Sequence, residues 1–254
     1  MSPARKKQQT EQSRRDQVSA RQRALADQQA AQRRKERRLL AVIVSVVVVV
    51  LVGGGIGLQA WRANRAPQAG SVTPGETSAP VSITAGHPIS WGSAGAPVTI
   101  DLYSDFHCPH CAEFEEQYGQ TLTDAQEAGQ ITLRIFPMAF LDDGSMSAAN
   151  AFACAAVAGF GETYYAALFA NHTLDWSDSQ LTQLAQQVNG SVPDTFSTCV
   201  TQRSHEDWVN SINDAASAAG VTGTPTMFLD GQQVDLTTVT PDGLKAQIAE
   251  AAQQ

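Results

Sequence analysis

The stretch Pro97-Val98-Thr99-Ile100-Asp101-Leu102-Tyr103-Ser104-Asp105-Phe106-His107-Cys108-Pro109-His110-Cys111 decides the fold. Pro97 to Tyr103 is rich in β-branched and aromatic residues and short enough for a buried strand. A helix is expected from Cys108 to about Ala128, stopped near Gly129. Pro109 suits its first position, because the ring fixes a helical φ and the missing N–H would have no partner there. Glu113, Glu115 and Glu116 place negative charge in the early turns, where the helix dipole favours it. Two thiols three positions apart at such a strand-to-helix junction can form a disulfide and pass it on. Cys108 lies at the positive end of the helix, where unpaired N–H groups favour a thiolate. That lowers its pKa and makes it the attacking sulfur and a good leaving group. Cys111, one turn inside, is the resolving thiol, and His110 between them adds hydrogen bonding or positive charge to the thiolate.

Other readings of this pair fare worse. A structural disulfide of such short span removes almost no chain entropy from the unfolded state. A zinc site using His107 or His110 wants a second closely spaced ligand pair, and the remaining cysteines, Cys154 and Cys199, stand far apart. Haem attachment needs a histidine after the second cysteine, where this chain has Ala112. No metal and no cofactor is therefore expected.

Cys108-Pro109-His110-Cys111 closely resembles the active site of the DsbA family of thioredoxin-fold oxidases, and Asp105-Phe106-His107 resembles its Gram-positive members. Gly223-Thr224-Pro225-Thr226-Met227-Phe228-Leu229-Asp230-Gly231 reads as a turn, a short apolar strand and a second turn, and it resembles the family's cis-proline loop. The resemblance implies a cis bond before Pro225, with the proline beside the cysteine pair and Thr224 offering its backbone to an extended substrate. It also implies a buried carboxylate that relays protons. Asp101 matches by its place in the strand, although it lies seven residues before Cys108 where the family more often has six, so Asp105 remains a rival. An Asp inside an apolar strand is costly unless it is paired or functional.

Residues 81–254 suffice for one domain with a substantial core. Strands are expected at Val81 to Thr84, up to Tyr103, at Ile131 to Phe136, at Thr226 to Asp230 and around Gln233 to Leu236. Helices are expected at Met146 to Ala158, Glu162 to Asn171, Ser179 to Val188, Pro193 to Val200, Glu206 to Ala219 and Pro241 to Ala252. Strands, a helical block, then strands again is an α/β pattern that fits a thioredoxin fold with a helical subdomain inserted over about residues 141–219. Cys154 and Cys199 both fall in that insertion. Leftover thiols outside a membrane most often pair, and the pair resembles the structural disulfide of some actinobacterial relatives; free thiols or a second redox pair are the alternatives. His107, His172, His205 and the scattered Met and aromatic residues have no comparable partners, and His172, His205, Trp176 and Trp208 read as surface or packing residues.

The N-terminal part is different in kind. Residues 1–38 hold twelve basic side chains against four acidic ones, a net charge of +8 that the whole-chain value of −8 conceals. Leu39 to Leu58 follows, long and apolar enough to cross a hydrocarbon core of about 30 Å. A secretory signal would have a shorter charged region and an apolar core of only about 7–15 residues, so an uncleaved anchor over residues 39–60 is expected. The positive-inside rule keeps the tail in the cytoplasm and puts the rest outside, the side where stable disulfides form. Residues 61–80 read as a flexible linker. The tail lacks interleaved aromatics, which argues against nucleic acid and for contact with anionic lipid. The exported part carries 5 basic against 21 acidic side chains, which argues against nucleic acid or anionic lipid as its partner.

Together these readings point to a membrane-anchored, extracytoplasmic thiol–disulfide oxidoreductase. The resemblance implies an oxidase that acts on exported proteins with free thiols and is reoxidised by a quinone-linked membrane partner of the DsbB or vitamin K epoxide reductase-like type. A reductase or isomerase, for instance in cytochrome maturation, and a non-enzymatic binding protein on the same fold are the alternatives.

Overall fold

The computed structural model describes residues 65–70 and 79–253. The basic tail and the expected membrane span lie outside these residues. Among the described residues no helix is long and apolar enough to cross a membrane.

The chain runs β1 (Ile89–Gly92), β2 (Val98–Ser104), α1 (Pro109–Glu127), β3 (Ile131–Pro137), α2 (Asp143–Val157), α3 (Gly161–Phe169), α4 (Asp178–Asn189), α5 (Asp194–Thr201), α6 (Glu206–Ala218), β4 (Thr226–Leu229), β5 (Gln232–Gln233) and α7 (Pro241–Ala251). The strands form one five-stranded sheet in the order β1-β3-β2-β4-β5. β2 and β3 are its parallel centre, in register from Val98 opposite Ile131 to Ser104 opposite Pro137. Val98, Ile100, Leu102, Ile131 and Ile135 are fully buried, as expected of central strands joined by a helical crossover. β1, β4 and β5 add antiparallel. α1 packs against β3 and α7.

The element readings hold within a residue or two through most of the domain, with corrections at its edges. Val81 to Thr84 is not a strand: Val81 donates its N–H to Ala156 O in α2 at 3.2 Å, so this segment is held by the helical block. The outer strand is Ile89–Gly92, whose Ile89 and Trp91 are buried while Ser90 and Gly92 face out. The expected strand around Gln233 to Leu236 shrinks to Gln232–Gln233. Residues 65–70, read as flexible linker, are pinned to the helices by side-chain amides. Gln180 donates to Arg65 O at 2.8 Å, Gln187 to Pro67 O at 2.9 Å, and Asn171 exchanges bonds with the Gln68 backbone.

α2 is the axis of the insertion. Ala148, Ala149, Ala151, Ala153 and Ala155 have no exposed surface, because short side chains all round let α3, α5 and α6 pack closely on it. A cluster of edge-to-face and tilted rings joins this block to the sheet. Phe106 contacts Phe152, Tyr165 and Phe169, and Trp91 contacts Phe152 and Tyr165.

Cys154 in α2 and Cys199 in α5 form the expected disulfide, 45 residues apart in sequence. Closing a loop of that length removes denatured-state entropy equivalent to about 4 kcal/mol in the chain-entropy model. Replacing both cysteines with Ala should lower stability in denaturant titration by an amount approaching that figure, while exchange chemistry at Cys108 stays within twofold.

Candidate active site

The antiparallel register sets Tyr103 of β2 opposite Thr226 of β4. The turn entering β4 therefore lies beside the step from β2 into α1. That turn holds a cis Thr224–Pro225 bond, as expected. Cys108 is the N-cap of α1, with extended backbone, and Pro109 opens the helix. The Cys108 carbonyl accepts from the N–H groups of Cys111 at 3.0 Å and Ala112 at 3.2 Å, and its own N–H donates to Asp105 O at 3.0 Å. Its sulfur is left free of capping work and lies 3.5 Å from Thr224 O.

The two sulfurs are unequal. Both are unbonded thiols here, but Cys108 is 7% exposed and Cys111 1%. Burial pushes the Cys111 thiol up to about 12; the Thr224 side chain and the Asp105 backbone N–H pull against this, while the neighbouring Cys108 adds to it. A thiol with that pKa stays protonated at neutral pH, so attack by and on Cys108 is the open route. His110 lies at the surface. Its ring is 77% exposed, and its Nδ1 lies 3.0 Å from Glu113 Oε2.

The carboxylate assignment needs correction. Asp101 alternates to the opposite face from Ile100 and Leu102, and the parallel register sets it against Arg134. Both of its oxygens accept from that guanidinium, so it is an ion-pair partner rather than a relay. Asp105 is the fully buried carboxylate. It accepts from His107 N at 2.8 Å, Phe140 N at 3.3 Å and Ser145 Oγ at 2.7 Å. Its pKa is nonetheless raised, burial outweighing those donors.

His107 does have a partner. Its Nδ1 lies 2.8 Å from Asp142 Oδ1, and its ring is 8% exposed. Asp142 caps α2 by accepting from Ser145 N at 2.9 Å; burial raises its pKa, but the His107, Ser145 and Gly144 interactions together hold it below the usual value. Gly144 makes this contact possible, since a Cβ there would sit 2.0 Å from His107 Cε1. The signal in the sequence was Asp142-Asp143-Gly144-Ser145, a cap with a glycine inside it. Among the described residues, the group with metal-ligand spacing is Cys154, Cys199 and His205, and both of its sulfurs are already joined in the disulfide.

A family model described as "Thioredoxin" matches residues 84–250. Among curated proteins, the serine/threonine-protein kinase PknE of Mycobacterium tuberculosis is 32% identical over 166 residues, covering 56% of this chain. The match takes in 28% of PknE, so this chain spans about a quarter of that relative's length. Among solved structures, the reduced disulfide bond oxidoreductase DsbG of Mycobacterium tuberculosis superposes with a TM-score of 0.58 at 22% identity, covering 68% of this chain and 90% of DsbG. MdbA, a thiol-disulfide oxidoreductase from Actinomyces oris, gives 0.59 at 24%, covering 73% and 96%. These structures share the fold described above, a thioredoxin-type sheet with a helical insertion.

The two strand-proximal carboxylates should respond differently to removal. Asp105→Ala leaves two backbone N–H groups unpaired in the interior and the Ser145 hydroxyl with only its longer contact to Asp142 at 3.4 Å, a loss of roughly 2–4 kcal/mol on the scale of unsatisfied buried groups. Asp101→Asn weakens a pair whose Arg134 side chain is 41% exposed, worth about 1 kcal/mol or less. Thermal denaturation of the two variants checks the order, and Asp101→Asn should keep its thiol-exchange rate within twofold of wild type.

Proposed function

The chain belongs to the thioredoxin family whose model it matches, as a DsbA-like thiol–disulfide oxidoreductase, and from that premise we propose that it works as an oxidase. In this reading it donates the Cys108–Cys111 disulfide to exported proteins on the outer side of the membrane. The observation that carries it is the inequality of the two sulfurs: Cys108 at the open start of α1, Cys111 sealed behind it as a protonated thiol.

In the oxidised enzyme a client thiolate attacks Cys108 Sγ. The Cys108–Cys111 bond breaks, its electron pair goes to Cys111, and Cys111 ends the step as a thiol. A second client thiolate then attacks the client sulfur of the mixed disulfide and releases Cys108. The client has lost two electrons and gained a disulfide; the enzyme has been reduced. Groups that favour the sulfurs in the reduced state, here the N-terminus of α1 and the Thr224 carbonyl, favour reduction of the enzyme and so make its disulfide oxidising. Thr224 and the cis-Pro225 beside Cys108 form the edge along which an extended client segment lies during attack.

The cycle needs a reoxidant. A quinone-linked membrane partner of the DsbB or vitamin K epoxide reductase-like type fits an enzyme tethered by residues 39–60, with anchor lipid around that span. The +8 charge of residues 1–38 supports a cytoplasmic N-terminus and an extracytoplasmic catalytic domain. The strong acidity of the exported part supports neutral or basic unfolded clients rather than nucleic acid.

Oxidised full-length chain mixed with a reduced, unfolded protein should form client disulfides within minutes. Cys108→Ser should abolish this, and Cys111→Ser should accumulate mixed disulfides through Cys108. Equilibration with glutathione should place the potential well to the oxidising side of thioredoxin's roughly −270 mV; a thioredoxin-like value would make the protein a reductase.

Topology is tested separately. Protease added to intact spheroplasts should remove the folded domain and leave the tail protected. Mature protein released into the medium with an N-terminus near Trp61 would instead make the apolar run a cleaved signal.

A further inference from the structure

Exchange at Cys108 and Cys111 leaves a second pair of sulfurs unused, and a histidine stands beside them. The Sγ atoms of Cys154 and Cys199 and a ring nitrogen of His205 all lie within 4.8 Å of one another. The turn after α5 brings the histidine there. Arg203 takes a left-handed φ of 53°, uncommon for any residue but glycine, Ser204 N donates back to Cys199 O at 3.1 Å, and His205 opens α6 as its N-cap residue. The Arg203 guanidinium is engaged by Ser147, Asp178 and Glu206, so this cation is held by other groups.

A disulfide has no use for an imidazole. The His205 side chain does not cap α6, and its half-buried ring has no hydrogen-bond partner among the described residues. Asn150 lies one turn before Cys154 on the same face of α2. It is fully buried, and its Oδ1 fixes the turn by accepting from His205 N at 2.8 Å. Its Nδ2, however, has no partner. Buried amides without an acceptor are costly and rare. A neutral disulfide sulfur is a poor acceptor for that N–H, whereas a thiolate is a good one.

We propose that Cys154, Cys199 and His205 form a zinc site whenever their disulfide is reduced, so that α2 and α5 are joined by a metal ion in the reduced protein and by the S–S bond in the oxidised one. Two thiolates and an imidazole are a ligand set that zinc takes, with water in the fourth place. Cys199 and His205 are each partly exposed, so solvent reaches that place. The two thiolates cancel the charge of Zn²⁺, and a neutral centre avoids the cost of an isolated charge in half-buried surroundings. The sulfurs would stand about 3.8 Å apart, the edge of a tetrahedron with Zn–S bonds of about 2.3 Å. Side-chain rotation can supply that separation from Cα atoms 5.9 Å apart.

The chemistry balances with a dithiol as reductant. The dithiol gives two electrons and two protons and becomes a disulfide, the Cys154–Cys199 bond breaks, and two thiols form; zinc then displaces their two protons. In the other direction a disulfide donor takes two electrons from the bound thiolates and two protons from solvent, the S–S bond forms, and zinc leaves with its charge unchanged. A newly made chain carries these cysteines as thiols. The metal would therefore hold α2, and with it the Asp142 cap that grips His107, before any disulfide exists.

The test uses the full-length chain with Cys108→Ser and Cys111→Ser, which leaves Cys154 and Cys199 as its only cysteines. The protein is reduced with dithiothreitol, freed of the reagent without air, and titrated with Co²⁺ and then Zn²⁺. One equivalent of Co²⁺ should give a near-ultraviolet thiolate-to-cobalt band and the visible bands of a four-coordinate ion, and Zn²⁺ should displace it. The oxidised chain should show neither. His205→Ala should weaken Zn²⁺ binding by more than about tenfold, the least that losing even an outer-shell partner typically costs. Near-ultraviolet circular dichroism covers the case in which the reduced chain unfolds: Zn²⁺ should then restore the native signal, because a metal bound by the folded site stabilises it. A reduced chain without the cobalt band, or an affinity unchanged by His205→Ala, overturns the site. So does zinc that binds a reduced, unfolded chain without restoring its native signal, which would be capture by unfolded thiols. Because serine at 108 and 111 removes exchange activity, this result is independent of the oxidase reading, which the wild-type chain and its reduced clients decide.

Discussion

The whole site hangs on the step from Ser104 to His107, which must hold Cys108 at the start of α1 while keeping Cys111 dry. The sheet alone cannot hold it, because β2 ends at Ser104 and nothing in the strand ladder continues past it. Each residue is instead fixed by the helical block or by the segment leading to it. Ser104 O accepts from Met138 N at 2.8 Å, and Asp105 collects donors from Phe140 and Ser145. Phe106 is fully buried among Phe152, Tyr165 and Phe169, and His107 closes on Asp142. The insertion is thus a wall of the active site, and its disulfide stabilises the partner that holds the catalytic loop.

Four acidic side chains near this step show environment setting role. Asp101 is matched by a guanidinium and remains an ordinary ion pair. Asp105 is sealed and saturated, a clamp. Asp142 is drawn down by His107 and its capping bonds despite partial burial. Glu115 is desolvated, and its neighbouring hydroxyl offsets only part of that penalty, so it sits near neutrality. Desolvation raises a carboxyl and donors lower it; the balance, not the residue type, separates the saturated Asp105 from the carboxyl of Glu115 held near neutrality.

Most of this fold was legible because its signals are local. The cysteine pair, Pro109 at the helix start, Gly129 after the helix, the helical block and the proline before β4 all declare themselves within a few residues of chain. What stayed hidden depends on pairing across the sheet or between subdomains. Ile89-Ser90-Trp91-Gly92 alternates correctly but is four residues long between a proline and a loop, too short to stand out. Strand alternation tells which face Asp101 takes, whereas its meeting with Arg134 is fixed only by the register of β2 on β3. His107 looked unpartnered because Asp142 lies 35 residues away.

The same arrangement explains why two nearly buried thiols can turn over at all. A dry Cys111 cannot outcompete Cys108, which prevents attack from the wrong sulfur, but dryness also cuts it off from solvent protons. An active site that excluded water completely would trap Cys111 as a thiolate after every opening, at a position where charge is strongly disfavoured. Tolerating the unpaired hydroxyls of Ser104 and Tyr165 and a mid-helix glycine at 119 weakens the fold locally.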